Sequence, residues 1–243
     1  MSTTFPDLDL AESDQRKLGG ELAEMWRDVP LSHRRDWRYR PDNSMFVLSD
    51  AAVLHSMLRH LQPERYIEVG SGFSSAMVLD TADRHLPDLK CTFIEPYPER
   101  LLGVLRDDDL RRATLIRRGV QDVPLEVYAQ LAAGDVLFID STHVAKAGSD
   151  VNWLLFRVLP TLAPGVVVHV HDIFWPFEYP ESWLNEGRAW NELYMMRAYL
   201  AHNSTMRVLL FNSWLWQNEP GLVRAALPQA AEQTPGSLWL QVT

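Results

Sequence analysis

An α/β fold with a largely parallel sheet is predicted by three observations. Apolar runs recur at Arg65–Val69, Cys91–Glu95, Ala113–Arg117, Val136–Asp140 and Val166–His171, each of strand length. Helical stretches around Ser74–His85, Glu99–Leu105, Leu125–Leu131 and Trp153–Leu159 separate them, so strand and helix alternate as crossover connections require. The runs are continuous in apolarity, the pattern of strands covered by helices on both faces.

Ahead of this core, residues 11–27 read as a polar helix. They are followed by a basic, proline-bounded patch, His33-Arg34-Arg35-Asp36-Trp37-Arg38-Tyr39-Arg40-Pro41. A solvated charged loop is the preferred reading of that patch, and contact with an acidic substrate is the alternative. Residues 1–45 are taken as a helical cap and 46–243 as the cofactor-binding domain. Ser49-Asp50 is expected to cap a helix over Ala51–Leu61 that leads into the first strand. Beyond the fifth strand come a Trp- and Pro-rich loop, Trp175–Pro180, and one helix over about Asn185–His202. Strands at Arg207–Trp214 and Ser237–Val242 then close the chain, with an irregular connection between them.

Size and charge narrow the function. The 243 residues suffice for one domain with insertions. Acidic residues outnumber basic ones, 32 to 23, a net charge of −9 that disfavours nucleic acid and anionic lipid as partners. The lone Cys91 sits among apolar neighbours, cannot form an internal disulfide and suits a reducing cytoplasm. Met1–Leu10 lack the pattern of a secretion signal, and apolar stretches such as Val166-Val167-Val168 fall far short of the roughly 20 residues that span a bilayer. The expectation is a cytoplasmic protein that acts on a small molecule, away from membranes.

The first strand runs directly into Gly70-Ser71-Gly72 and then a helix. Gly70 permits the sharp turn, and Gly72 has no Cβ to block a ligand at the backbone. Glu68 is expected at the same edge, where it can attract a positively charged amine. Glu95 ends the second strand, 25 residues after Gly70, where a carboxylate can accept both hydroxyls of a ribose. Gln121 and Asp122 follow the third strand, where the edge of an adenine would fall.

Strands four and five end in Asp140 and in His171-Asp172, which gathers polar groups at one sheet edge. Carboxylates favour Mg²⁺, and an added imidazole from His171 also suits Mn²⁺, Fe²⁺ or Zn²⁺. The ion is left open among these. His143, three residues after Asp140, can return to the same spot as a general base. His169 lies deeper in the strand and reads as a core or supporting residue. For each alone, helix capping or a satisfied strand end is the competing reading.

The order of motifs resembles class I S-adenosylmethionine-dependent methyltransferases, specifically methyltransferase family 24, over about Phe46–Trp214. The resemblance rests on Glu68-Val69-Gly70-Ser71-Gly72, Phe93-Ile94-Glu95-Pro96-Tyr97-Pro98-Glu99-Arg100, Phe138-Ile139-Asp140-Ser141-Thr142-His143, and His171-Asp172-Ile173-Phe174 with downstream Glu186–Glu192. It implies a Rossmann-like, seven-stranded, mostly parallel sheet with an antiparallel C-terminal hairpin. S-adenosylmethionine would be held by Glu68, Gly70, Ser71, Gly72, Ser74, Glu95, Gln121, Asp122 and Asp140.

The chain also looks like metal-dependent O-methyltransferases, in which the aspartate ending strand four binds metal and the residue three positions later takes the acceptor's proton. Asp140 and His143 fit that spacing. The fifth strand departs from the pattern, because His171-Asp172 replaces an acidic residue paired with Asn or Asp. The metal would be held by Asp140, His171 and Asp172. Arg188, Trp175 and Tyr179, with Trp190 and Asn191, follow the fifth strand where an acceptor pocket would open, although the aromatics also read as packing. The function expected is O-methylation of a small hydroxylated acceptor, a sugar or secondary metabolite. The rivals are a nicotinamide-dependent oxidoreductase, whose fingerprint has a third glycine where Ser75 stands, and a noncatalytic module that binds S-adenosylmethionine. The acceptor and any homo-oligomer are left open.

Overall fold

The computed structural model describes residues 5–243, so the first four residues of the expected cap lie outside it. The glycine turn leaves a central strand. β1 (Arg65–Val69) lies between β2 (Lys90–Ile94) and β4 (Val136–Ile139), parallel to both. β3 (Ala113–Ile116) pairs outside β2, and β5 (Val167–His171) pairs outside β4, again parallel. β7 (Ser237–Val242) runs antiparallel between β5 and β6 (Met206–Phe211), giving a seven-stranded sheet in the order β3-β2-β1-β4-β5-β7-β6. The expected Rossmann-like architecture with its antiparallel end is therefore present. The strand order reverses between β1 and β4, and the crevice at such a point takes ligands in open α/β sheets.

Every residue of β4 and β5 is buried, which explains their continuous apolarity. α1 (Glu12–Trp26) packs on α2 (Leu48–Leu61), and α2 packs on α3 (Phe73–His85). α1 also touches β6 and the C-terminal helices α10 (Asn212–Asn218) and α11 (Pro220–Ala226), so it shares one core with the domain. The basic patch is anchored by its own Arg38. That side chain turns inward to Asp80 at 3.0 Å, Asp83 at 2.7 Å and Asp109 at 2.5 Å, which leaves little of its charge for a ligand. Among the described residues, no helix is long and apolar enough to cross a membrane.

Three expected elements differ. α2 begins at Leu48 with no side-chain cap, because Asp50 turns into the core instead. The single helix expected over 185–202 is two, α8 (Glu181–Asn185) and α9 (Glu192–Leu200). The first closes at Gly187, whose φ of 77° suits glycine, with its N–H on the Leu184 carbonyl at 3.0 Å. The chain between them docks on the loop after β4, where Asn191 Oδ1 accepts the Ala145 N–H at 2.6 Å. Finally, β6 stops at Phe211 and the last residues of the expected strand form α10. Side chains of the N-terminal helices divert the chain there: Gln15 Oε1 accepts the Phe211 N–H at 2.7 Å, and Asp50 accepts from Asn212 Nδ2 at 2.9 Å.

Candidate active site

A cavity of about 650 Å³ opens at the carboxyl edge of β1, β4 and β5. One end is walled by Gly70–Ser74, Glu95, Tyr97 and Gln121, and the other by Met45, Phe46, Asp140, His143, Asp172 and Trp190. Its size falls within the range of small-molecule sites.

Gly70 is dictated by the sheet itself. Its φ is 80°, and a Cβ there would lie 1.7 Å from the Asp140 carbonyl oxygen. The two strands meet so closely because Asp140 N–H donates to Val69 O at 2.9 Å and Gly70 N–H to Ile94 O at 3.1 Å. At Gly72 a Cβ would press on the Arg100 side chain at 2.9 Å.

Glu68 does not face the cavity. It is fully buried beneath the loop, accepting from Ser74 Oγ at 2.8 Å and Ser75 Oγ at 2.6 Å, and so fastens the start of α3 to β1. Burial pushes its carboxyl up to about 7, against the opposing pull of those serines. Glu95 stands on the rim, accepting the N–H groups of Ser71 at 3.2 Å and Tyr97 at 2.8 Å. Ser71 Oγ is buried in the wall without a partner, a polar atom suited to a polar ligand. Gln121 reaches the wall and donates to Gly148 O at 3.0 Å, whereas Asp122 is exposed and outside it.

At the other end, His143 is the hub. Its Nε2 lies 3.3 Å from Asp140 Oδ1 and 3.4 Å from Asp172 Oδ2, and its Nδ1 lies 2.8 Å from Glu192 Oε2. Both His143 (φ 61°) and Asp172 (φ 57°) hold the left-handed backbone region, a strained state for residues with a Cβ. The His143 strain is held by its carbonyl, which accepts the N–H groups of Asn191 at 2.9 Å and Glu192 at 3.1 Å.

Electrostatics split the two aspartates. Burial would raise Asp140, but the charge of His171 and the hydrogen bond from His143 hold it below its ordinary value. Burial dominates at Asp172 and lifts it to about 6, although His171 and His143 oppose the rise. Burial disfavours the charged form of His143, but Asp140 and Glu192 outweigh it and hold the ring well above 6.5.

Donor atoms of Asp140, His143 and Asp172 lie within 4.8 Å of one another, a grouping able to hold a metal ion. The chemistry fits. Two carboxylates and an imidazole suit a divalent cation, and the Glu192 carboxylate at Nδ1 would fix the ring with Nε2 as the ligating atom. His171, expected in this group, is outside it; its Nδ1 is turned to Ser237 Oγ at 3.2 Å and its Nε2 stands 3.6 Å from Asp172 Oδ1.

The aromatics expected at the acceptor are mostly packing. Trp175 is buried against Phe5 and Phe211 at ring distances of 5.3 and 5.9 Å. The Tyr179 hydroxyl accepts the Leu193 N–H at 3.1 Å. Arg188 pairs with Glu186 and lies between Trp183 and Trp190, 4.3 and 5.0 Å from their rings, without reaching the wall. Trp190 does reach it, 4.4 Å from His143 between ring centroids. Sequence reasoning missed Glu192 and Phe46. The carboxylate of Glu192 lay in a recognised motif, but nothing local ties it to His143.

Residues 67–173, from β1 to just past β5, match the family profile described as a methyltransferase domain. Over these residues the chain carries a methyltransferase domain. A protein of Archaeoglobus fulgidus, described as uncharacterized, is 36% identical over 132 residues, which cover 51% of this chain and 58% of that relative. The chain thus spans little more than half of that relative's length. Among solved structures, the S-adenosylhomocysteine-bound methyltransferase PaMTH1 of Podospora anserina is 16% identical, with a TM-score of 0.53 and 100% of each chain covered. An apo structure of CmcI is likewise 16% identical, with a TM-score of 0.51, covering 90% of this chain and 84% of that one. At these identities the likeness is one of fold.

Proposed function

We propose that this chain is an S-adenosylmethionine-dependent methyltransferase that methylates a hydroxyl oxygen on a small acceptor, a sugar or secondary metabolite. The observation that carries the reading is that His143, set between Asp140, Asp172 and Glu192, shares one cavity with the glycine turn.

S-adenosylmethionine, when bound along Gly70–Ser74 with its ribose at Glu95, supplies an electrophilic methyl group on a sulfonium. Gln121 and the Asp140 backbone would line its remaining length. An alcohol or phenol attacks such a carbon well only as its proton leaves. With Nδ1–H donated to Glu192, His143 presents Nε2 to the cavity, and once the second proton that Asp140 and Glu192 favour has left, the Nε2 lone pair can take the acceptor's proton, so transfer should rise as the ring deprotonates. Transfer would form the C–O bond as the methyl group's bond to sulfur breaks, and the imidazolium left on His143 would face Asp140 and Asp172, whose charges would stabilise it. Met45, Phe46 and Trp190 bound the space where the acceptor would sit, and holding it in line supplies much of the rate. A divalent cation (Mg, Mn or Fe) held by Asp140 and Asp172 would lower the pKa of the acceptor hydroxyl, with Nε2 of His143 then taking the proton rather than binding the ion.

Calorimetric titration with S-adenosylmethionine comes first, and absence of binding at high protein concentration would sink the proposal. A panel of sugars, catechols and other phenols, assayed for S-adenosylhomocysteine with Mn²⁺ or with chelator, then tests the acceptor class and the cation. His143→Ala should keep cofactor binding and lose most transfer. A noncatalytic module would show no transfer in either form, and a nicotinamide enzyme would bind NADH in a fluorescence titration.

A further inference from the structure

The cavity is lined mainly by negative charge. Glu95, Asp140, Asp150 and Asp172 face two basic side chains, Arg100 and Lys146. S-adenosylmethionine would bring a further carboxylate into that setting, on the carbon that carries its amine. Like charges repel it there unless a cation meets it.

Arg100 stands on a short helix, Glu99–Leu102, that follows β2 and its rim carboxylate Glu95. Its stem lies against the glycine turn. A Cβ at residue 72 would come within 2.9 Å of Arg100 Cδ and 3.4 Å of its Cγ, so the glycine makes room for this arginine beside the cavity. Arg106 and Arg112 pair with Asp83 at 3.8 and 2.8 Å, whereas Arg100 forms no ion pair and no side-chain hydrogen bond among the described residues. The same turn holds a second unmet polar group, the buried Ser71 Oγ. Lys146 is the other cation of the wall, but its loop is tied to the end where the adenine would lie, through the bond from Gln121 Nε2 to Gly148 O at 3.0 Å.

We infer that Arg100 is a specificity-determining residue for the cofactor, its guanidinium pairing with the carboxylate of the methionine moiety as the ligand lies along Gly70–Ser74. The inference rests on the proposed function in taking S-adenosylmethionine as the ligand of this cavity. A guanidinium can offer two N–H groups to the two oxygens of one carboxylate, a match that an ammonium cannot make.

Two ligands that differ by one group provide the test. S-adenosylhomocysteine and its decarboxylated analogue, which keeps the adenosine, the sulfur and the amine, are titrated by calorimetry into the native chain, Arg100→Met, Arg100→Lys and Lys146→Met. The native protein should prefer the carboxylate-bearing ligand. Arg100→Met should bind S-adenosylhomocysteine roughly 10- to 100-fold more weakly and hold the analogue at its native affinity, so that the preference disappears. Arg100→Lys should recover part of it, and Lys146→Met should keep all of it. Arg100 is exposed, so these substitutions remove no core contact. The inference is overturned if Arg100→Met weakens both ligands alike, as a general disturbance of the turn would. It is equally overturned if S-adenosylhomocysteine affinity is unchanged, as for an arginine serving the neighbouring hollow beside Arg40 and Arg106, or if the preference is lost in Lys146→Met instead. A native protein that binds neither ligand would overturn the proposed function and this inference together, whereas failure of the inference alone leaves native binding intact.

Discussion

Glu192 accepts at 2.8 Å from Nδ1 of His143 across a sequence distance of 49 residues, and both side chains are buried. This bond turns an imidazole on a strained loop into a group with one defined outward nitrogen. The same Glu192 accepts from Ser141 Oγ at 3.2 Å, so the loop after β4 is tied to the start of α9 at two points.

Replacing Glu192 by Gln keeps the shape and removes the charge. Methyl transfer to an acceptor from the panel should fall about 10- to 100-fold, while S-adenosylhomocysteine affinity stays at the native value. Unchanged turnover in Glu192→Gln would remove this bond from the mechanism.

Gly70→Ala and Gly20→Ala should move stability in opposite directions. At Gly70 the new Cβ would strike the Asp140 backbone at 1.7 Å on a residue with φ 80°, so a loss of more than about 3 kcal/mol is expected. At Gly20, within α1, a Cβ meets nothing within 4 Å, and alanine should add roughly 0.5–1 kcal/mol through helix propensity. Urea unfolding of both variants checks the pair.

Among the described residues Arg38 is the one cation common to Asp80, Asp83 and Asp109, and against the opposing effect of burial Asp109 and Asp83 hold its guanidinium above its ordinary pKa. Arg38→Met would leave buried Asp109 without its cation and Asp80 with only Arg84 at 3.9 Å, while Asp83 keeps Arg112 at 2.8 Å, a loss of about 3–5 kcal/mol. In a chain of this size the melting temperature should drop by roughly 10 °C. A melting curve that matches the native one would show the cluster to be dispensable.

His55 sets an acid limb of stability. Its ring lies 2.8 Å from Thr81 Oγ1, whose proton goes to Met77 O, so His55 Nδ1–H must donate, and the Arg59 guanidinium approaches Nε2 at 3.3 Å. The ring is therefore neutral, and burial, then the Arg59 charge, push its pKa down from 6.5 to about 3. A depressed folded pKa means that the unfolded chain takes up a proton the folded one refuses. The contribution is full above 6.5 and is lost as pH falls toward 3, at up to about 1.4 kcal/mol per pH unit. Glu68, raised from 4.5 to about 7, works in the opposite sense across part of that window. The His55→Leu difference isolates the histidine: its urea midpoint should decline less than the native one between about pH 7.5 and about pH 5.

Much of the fold was legible because strand and helix periods are local properties. The five parallel strands and the glycine turn at Gly70 follow from apolar runs and from one position that tolerates no Cβ. The polar ends Asp140, His143 and Asp172 were legible for the same reason, since a strand ending delivers its next residues to the sheet edge. Helix ends were less so. The break at Gly187 and the stop of β6 at Phe211 depend on docking partners from distant segments, Ala145 in one case and Gln15 in the other.

The sequence by itself determined which chemistry arrives at the sheet edge: a glycine turn, a rim carboxylate at Glu95 and an aspartate–histidine pair. Only the tertiary structure decided which way these groups face and what holds them. It turned Glu68 inward onto Ser74 and Ser75, substituted His143 for His171 in the donor cluster, and brought Glu192 to His143 and Ser237 to His171. The reason is that a side chain's direction at a strand end is set by packing between elements far apart in the chain, whose relative placement has no local signature.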